Sequence, residues 1–167
     1  GVIAEHDQHH LALVPTGSRP DETWVRAAPF RAHVRHAIDV AGVPWPAFAI
    51  ESDVSVSVVR TLLFGRGGRR LGRLTPRIAA RLLRVEAAQL SGLRHSHVRA
   101  EATAQRLSVM LSNGIEPNRL ARWCDLSGHE FDALVRGAAP SCSRLTETLA
   151  LAAQRSLCAP ALGRRAA

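Results

Sequence analysis

The chain has 167 residues and a formal net charge of +8 at pH 7, a length that suits one ordinary domain or two small ones. It contains no apolar run of the roughly 20 residues that a membrane-spanning helix needs, and its first ten residues carry acids and histidines where a signal peptide carries basic residues. We therefore expect a cytoplasmic protein with no membrane partner. The three cysteines (Cys124, Cys142 and Cys158) are odd in number and widely spaced, so we expect no disulfide framework and no standard zinc site. We also expect no other metal and no cofactor.

The positive charge is carried by one residue type and is unevenly spread. All 22 basic residues are Arg, which a GC-rich genome favours by codon usage but which also matches phosphate and the guanine edge. Residues 31–95 hold 11 Arg against 4 acids, whereas residues 1–30 hold 2 against 4 and residues 96–167 hold 9 against 6. A polyanion is therefore expected to dock on the middle of the chain.

Taken in chain order, the apolar spacing predicts an all-α fold. An amphipathic helix covers 30–41, two short helices occupy 45–65, and a longer helix runs from Thr75-Pro76 to Gly92. Thr before Pro is a good helix start, because Thr caps the helix and Pro fits its first turn. The same order follows with a helix through 107–111, two short helices in 114–137 and a last helix over 145–157. Each half of the chain thus contains four predicted helices.

The two short helices form part of an internal repeat. Residues 42–65 align with residues 114–137 at an offset of 72 without a gap, and the agreement lies at apolar and turn positions. The matched pairs are Gly42 with Gly114, Phe48 with Leu120, Ala49 with Ala121, Asp53 with Asp125, Val54 with Leu126, Ser55 with Ser127, Val59 with Phe131, Leu62 with Leu134, and Gly65 with Gly137. A duplicated structural unit with a diverged surface leaves such a pattern.

Both copies share a spacing centred on a small residue, Ala49 or Ala121, where two helices would cross closely. Apolar residues stand one position before it and five, ten and thirteen after it, and Ser127 with Glu130 forms a capping box. This pattern resembles the helix-turn-helix of bacterial and phage DNA-binding regulators, in particular those of high-GC actinobacteria and their phages. The family often has Gly at the turn where this chain has Asp53 and Asp125, and Asp tolerates left-handed backbone.

The resemblance implies two tandem helical units, each with a helix-turn-helix, and a nucleoid-associated transcription regulator that binds double-stranded DNA. We expect a poorly ordered N-terminal segment over 1–28, a basic DNA-binding unit over 29–92 and a linker over 93–97. A second unit over 98–158, retained for packing or self-association, and a tail over 159–167 complete the chain.

The DNA-binding residues are expected in the first copy and in the Arg/Gly loop that follows it. The resemblance places the second helix of the pair in the major groove, where hydroxyls bond phosphates or bases, Val56 touches a thymine methyl group and Arg60 forks onto guanine. The loop follows the phosphate chain or enters a minor groove. An ordinary surface helix and a solvated linker are the alternatives. The expected residues are Ser55, Val56, Ser57, Arg60, Thr61, Arg66, Arg69, Arg70, Arg73 and Arg77.

The second copy carries acids where the first carries none. Glu130 and Asp132 would repel phosphates, and the loop over 138–143 has no basic residue. We therefore expect this copy to serve packing or self-association, for example in a homodimer, with direct DNA reading as the alternative. For the whole chain, a protein-interaction module of the transcription machinery with weak nucleic-acid binding remains an alternative, as does RNA binding through the Arg/Gly loop. We expect no enzyme, because Cys124, the nucleophile of a conceivable triad with Asp125 and His129, has a spacing that faces the core.

Overall fold

The computed structural model describes residues 23–158, and within them the fold is all-α, as predicted. Residues 1–22 of the expected N-terminal segment and the expected tail over 159–167 lie outside the described residues. The helices are α1 (Ala28–Ala41), α2 (Trp45–Ser52), α3 (Val56–Phe64), α4 (Pro76–Leu83), α5 (Ala87–His95), α6 (Glu101–Ser112), α7 (Pro117–Trp123), α8 (Gly128–Val135) and α9 (Arg144–Ala153), followed by a π-helical turn (Gln154–Cys158).

Side-chain hydroxyls fix where several helices begin. The side chain of Thr75 accepts the backbone N–H of Ile78 at 3.3 Å, and Ser127 accepts that of Glu130 at 3.1 Å, so both predicted helix starts are confirmed. Ser55 caps α3 in the same way, with 3.2 Å between its Oγ and the backbone nitrogen of Val58. Each cap satisfies an N–H that has no partner inside its helix.

The backbone recurs at the predicted offset of 72 residues. Helices α2 and α7 begin at 45 and 117, α3 and α8 begin at 56 and 128, and each pair is in contact. Left-handed backbone recurs as well: Asp53 and Asp125 both have φ of 56°, and they are the only non-glycine residues with positive φ among residues 23–158. The glycines that flank each helix pair, Gly42 with Gly114 and Gly65 with Gly137, have positive φ in both copies as well.

The structure contains four short strands that the sequence did not predict, one antiparallel pair in each half of the chain. Strand β1 (Val25–Arg26) pairs antiparallel with β2 (Arg73–Leu74), and β3 (His97–Arg99) pairs antiparallel with β4 (Ser141–Ser143). We call β1 through α5 the first unit and β3 through the π-helical turn the second unit. Two or three residues are too few to show an alternating pattern, which explains why these strands were missed.

Three predicted boundaries were wrong. The segment over 93–97 is no linker, because α5 continues to His95 and β3 begins at His97, with Leu93 buried. The predicted helix from Thr75 to Gly92 is two helices, because the chain turns after α4 to bury Val85, whose carbonyl lies 2.8 Å from Nε2 of His33. The first unit also begins before residue 29, since β1 is paired and Ala27 is buried.

Helix α9 lies at the centre of the molecule. It contacts α6, α7, β3 and β4 of its own unit as well as α2 and α5 of the first unit. Most residues of α9 are buried, and they lie on all sides of the helix, as expected for a helix that is surrounded by other elements. The buried apolar side chains of both units form one continuous core, in which Phe48, Leu62, Leu107, Leu120 and Leu149 are fully enclosed.

Candidate nucleic-acid interface

Helix α3 buries one face and presents the other to solvent. Val59, Leu62 and Leu63 pack into the core, whereas Ser57, Arg60 and Phe64 are exposed. These exposed residues are spaced by three and four positions, so they form one stripe along the helix. Ser55, which begins the helix, is exposed as well.

Two of the residues expected on this stripe are placed differently. Val56 is only 5% exposed and belongs to the core, so its predicted contact with a thymine methyl group was wrong. Val54 and Val56, on either side of the exposed Ser55, are both buried. Thr61 is half-buried, and its Oγ1 donates to the carbonyl of Ser57 at 2.9 Å.

The guanidinium of Arg60 is held on both sides. It lies 5.5 Å from the centre of the Trp45 ring, a cation–π contact, and its Nη2 donates to Oγ of Ser156 at 2.9 Å. Ser156 belongs to the π-helical turn of the second unit, so the two units together orient this side chain. A guanidinium that is held in place loses less conformational entropy when it binds.

The Arg/Gly loop after α3 is a tight hairpin. The backbone N–H of Arg66 donates to the carbonyl of Arg69 at 2.8 Å, and the reverse bond measures 3.1 Å. Gly67 and Gly68 stand between them with φ of 59° and 77°, the positive values that a type I′ turn requires at both central positions. The hairpin therefore presents Arg66 and Arg69 from a fixed backbone.

Gly65 joins the hairpin to α3 with φ of 77° and ψ of −178°, a conformation that is essentially restricted to glycine. A Cβ atom at this position would lie 2.5 Å from the carbonyl oxygen of Arg69. The close approach of these two backbone segments thus requires the missing side chain.

Two arginines of α1 fasten the end of α3 and the loop. Arg31 is 8% exposed, and its guanidinium donates to the carbonyls of Leu62 at 2.6 Å and Leu71 at 2.5 Å. Arg35 donates to the carbonyl of Leu63 at 2.6 Å. Cations at the C-terminal end of a helix also interact favourably with its dipole. Burial lowers the pKa of Arg31, and the charges of Arg70 and Arg35 lower it further, so Arg70 lies close enough to be felt electrostatically.

The remaining predicted arginines are exposed on the same unit, and none of them forms an ion pair with a carboxylate of residues 23–158. Arg73 lies directly opposite Arg26 across the β1–β2 pair, an arrangement of like charges that is unfavourable without a nearby anion. No described carboxylate lies within ion-pair distance of Arg26, Arg60 or the loop arginines. The sequence pattern does not point to Arg26, because only the strand pairing brings it beside residue 73. We call the exposed arginines of β1, of the loop after α3 and of the first turn of α4 the arginine face; they are Arg26, Arg66, Arg69, Arg70, Arg73 and Arg77.

The corresponding surface of the second unit is different. Along α8, His129, Glu130 and Asp132 are exposed, and the carboxylate of Asp132 pairs with Arg136 at 3.0 Å. The chain after α8 leads into β4 without a basic residue beyond Arg136. The charges of this face are thus mixed and partly paired within the helix itself.

A cavity of about 390 Å³ lies between α8, β4 and the start of α9. Cys124, Asp125 and His129 all line it, which brings together the three residues of the conceivable triad. Burial raises the pKa of Cys124 to about 12, so its thiol stays protonated at neutral pH and is a weak nucleophile. Asp125 is instead paired with Arg94 of α5 at 3.2 Å.

Comparison with known proteins adds no further assignment. No family model, no curated protein and no solved structure matches this chain. Within residues 23–158, none of the helices combines the length and the hydrophobicity needed to cross a bilayer. Over the same residues, no three His, Cys, Asp or Glu side chains come together as a metal site.

Proposed function

We propose that the chain binds double-stranded DNA through its first unit and acts as a transcription regulator. Helix α3, as the second helix of a helix-turn-helix, lies in the major groove, and the arginine face holds the phosphate chain. The observation that supports this proposal is the group of exposed arginines without described counter-ions beside the exposed stripe of α3.

The charges of the arginine face favour an anionic partner. A fold that places Arg73 opposite Arg26, and holds a further hairpin of arginines on the same unit, accumulates repulsion that phosphates would relieve. Arg77 stands in the first turn of α4, where a cation opposes the helix dipole. Duplex DNA offers a regular row of anions to such a surface, and each neutralised phosphate releases counter-ions.

Duplex DNA fits this surface better than an unpaired strand. Proteins that bind single strands stack several bases on aromatic side chains. The chain has only seven aromatic residues of the Phe and Trp types, and Phe48 and Phe131 are buried in the core. Among residues 23–158 the largely exposed aromatic rings are those of Trp24 and Phe64, fewer than a platform that stacks several successive bases needs.

A protein partner is the second candidate function, and the surface of α8 favours it. Its mixed charges and the lack of an arginine-rich loop after it suit a protein or a second copy of the chain rather than a phosphate backbone. This alternative predicts weak nucleic-acid binding that depends on net charge and not on the position of the arginines.

The test compares two triple variants that remove the same charge from different units. Changing Arg69, Arg70 and Arg73 together to Ala should reduce the log–log salt slope of binding to random duplex DNA by about 0.9 for each phosphate that is no longer neutralised. The control changes Arg99, Arg119 and Arg122, which are exposed on the second unit, and should retain the parent slope. Fluorescence anisotropy at several salt concentrations measures both. Equal slope changes in the two variants would contradict a DNA site on the first unit.

A further inference from the structure

Phe64 ends the exposed stripe of α3 and is itself 64% exposed. It stands one helical turn after Arg60, on the same side of the helix, and directly before the glycine that leads into the arginine hairpin. A large apolar ring is therefore exposed between arginines that precede and follow it in the sequence. The phosphate and guanine contacts of the proposed function do not involve this ring.

The ring of Phe64 packs against the ring of Trp45. Its centroid lies 5.7 Å from that of Trp45 in an edge-to-face arrangement, and Trp45 lies 6.1 Å from Trp123 in the same manner. The indole N–H of Trp123 donates to the carbonyl of Leu149 at 3.0 Å, which anchors this stack to the central helix. Trp45 also carries the guanidinium of Arg60 on its ring. Phe64 and Arg60 are thus fixed relative to each other by one tryptophan.

The surroundings of Phe64 indicate the kind of group that its ring contacts. Arg60 precedes it, Arg66 and Arg69 follow it, and no described carboxylate pairs with any of the three. The major groove of duplex DNA presents one apolar group within a polyanionic surface, the 5-methyl group of thymine, and Phe is among the side chains that contact it.

We propose that Phe64 is a specificity-determining residue that packs on a thymine methyl group next to the base pair read by Arg60. This inference rests on the proposed function. It replaces the thymine contact expected of Val56, whose side chain is in the core.

Deoxyuridine tests the contact at the level of one methyl group, because it differs from thymidine only by that group. The full chain is first used to select its preferred duplex, and each thymine of that duplex is then replaced singly by uracil. For the parent, one replacement should weaken binding about fourfold, the factor that corresponds to withdrawing one methyl-sized group from water. For Phe64→Ala, affinity for the thymine duplex should fall by a similar factor and that replacement should have no further effect.

Leu83→Ala is the matched control, since Leu83 is a 52% exposed apolar residue on α4. It should retain the parent's response to uracil. The salt slope of Phe64→Ala should equal that of the parent, because the substitution leaves every phosphate neutralised as before. Circular dichroism checks that both variants are folded.

The outcomes separate this inference from the proposed function. A parent that binds duplex DNA but responds to no uracil replacement would overturn the role of Phe64 alone, as would a Phe64→Ala variant that keeps the parent's response. A variant that binds single strands more weakly and duplexes as before would show instead that Phe64 stacks on unpaired bases. A parent that binds no duplex would overturn the proposed function, and this inference with it.

Discussion

The two units of this molecule share a backbone plan and differ in the segment after the second helix of each pair. In the first unit, residues 65–75 separate α3 from α4, and they contain the arginine hairpin. In the second unit, residues 136–143 separate α8 from α9 and contain no hairpin of this kind. The two units thus match in their helix starts, left-handed turn residues and buried positions, although the loops after the helix pairs have diverged. The difference in charge between the units arises in that loop and on one helix face.

Even the unusual turn is stabilised in parallel ways. Asp53 and Asp125 have the same left-handed backbone, and each is approached by an arginine of the first unit. Arg81 donates to the carbonyl of Asp53 at 3.1 Å, and Arg94 donates to the carboxylate of Asp125 at 3.2 Å. Arg94 also donates to the carbonyl of Gly42 at 2.6 Å, so one side chain ties the turn of the second unit to the first.

The largest expected effect concerns whether the two units unfold separately. Leu149→Ala removes a fully buried side chain from α9 and should lower the free energy of unfolding by about 2 to 5 kcal/mol. Because α9 contacts both units, hydrogen exchange should accelerate over 45–64 and over 117–135 alike. Urea denaturation gives the size of the effect, and Leu83→Ala, at an exposed position, should change it little. Acceleration confined to 117–135 would show two independent units.

The equivalent glycines after each helix pair should respond differently to alanine. Gly65→Ala should cost about 2 to 3 kcal/mol, because the new Cβ would meet the carbonyl of Arg69 and the backbone conformation is restricted to glycine. Gly137→Ala should cost only about 1 kcal/mol, since its φ is 75° but no atom lies within 4 Å of the added Cβ. Thermal denaturation of both variants checks the order, and equal destabilisation would mean that the hairpin does not approach α3 so closely.

One substitution on the exposed face of each helix pair distinguishes the units by DNA recognition. Arg60→Ala should weaken binding to the preferred duplex by about 1 to 3 kcal/mol and relax the choice at one base pair, because it removes a guanine contact. Asp132→Ala should leave binding unchanged or slightly stronger, since it removes a negative charge. Both are measured by anisotropy on duplexes that vary one base pair at a time, after circular dichroism has shown that they are folded. The reverse result would assign DNA reading to the second unit.

The smallest expected effect is the dependence of stability on pH, to which only the second unit contributes a buried thiol at this pair of positions. Cys124 in the second unit and Ser52 in the first occupy equivalent, buried positions. Burial raises the pKa of Cys124 from 9.0 to about 12, so the unfolded chain releases this proton more readily than the folded one and stability falls as pH rises from about 9 towards 12. The decrease attributable to this thiol is about 1 to 2 kcal/mol at pH 10.

Cys124→Ser should therefore lose less stability than the parent between pH 8 and pH 10 in urea denaturation experiments. Ser52→Ala, which removes no ionisable group, should follow the parent's dependence on pH. A parent whose stability does not change over this range would mean that water reaches the thiol in the folded chain.

The sequence predicted the features that depend on local spacing. The caps at Thr75 and Ser127 and the left-handed turn at Asp53 follow from residue types a few positions apart, and the structure has them. The exposure of Ser57 and Arg60 also follows from helical periodicity. Val56 was misplaced because a position in the first turn of a helix can face either way, and only the neighbouring elements decide which.

Features that depend on long-range contacts were not accessible from the pattern. Arg26 joins Arg73 through a strand pair between residues 47 positions apart in the sequence, and Arg60 meets Ser156 across 96 positions. The type I′ turn that Gly67 and Gly68 form, which fixes the hairpin of the loop, was not predicted either. The exposed ring of Phe64 was not predicted, because an aromatic residue at helical spacing is usually buried.

The position of α9 also bears on how the chain folds during synthesis. Its residues are made after both helix pairs, yet its buried face completes the packing of α2 and α5 in the first unit. A ribosome-bound chain that ends before residue 144 would therefore lack part of the first unit's core, and its α3 would form on an incomplete support. The DNA-binding competence proposed for the first unit would then arise only after α9 has emerged from the ribosome and docked.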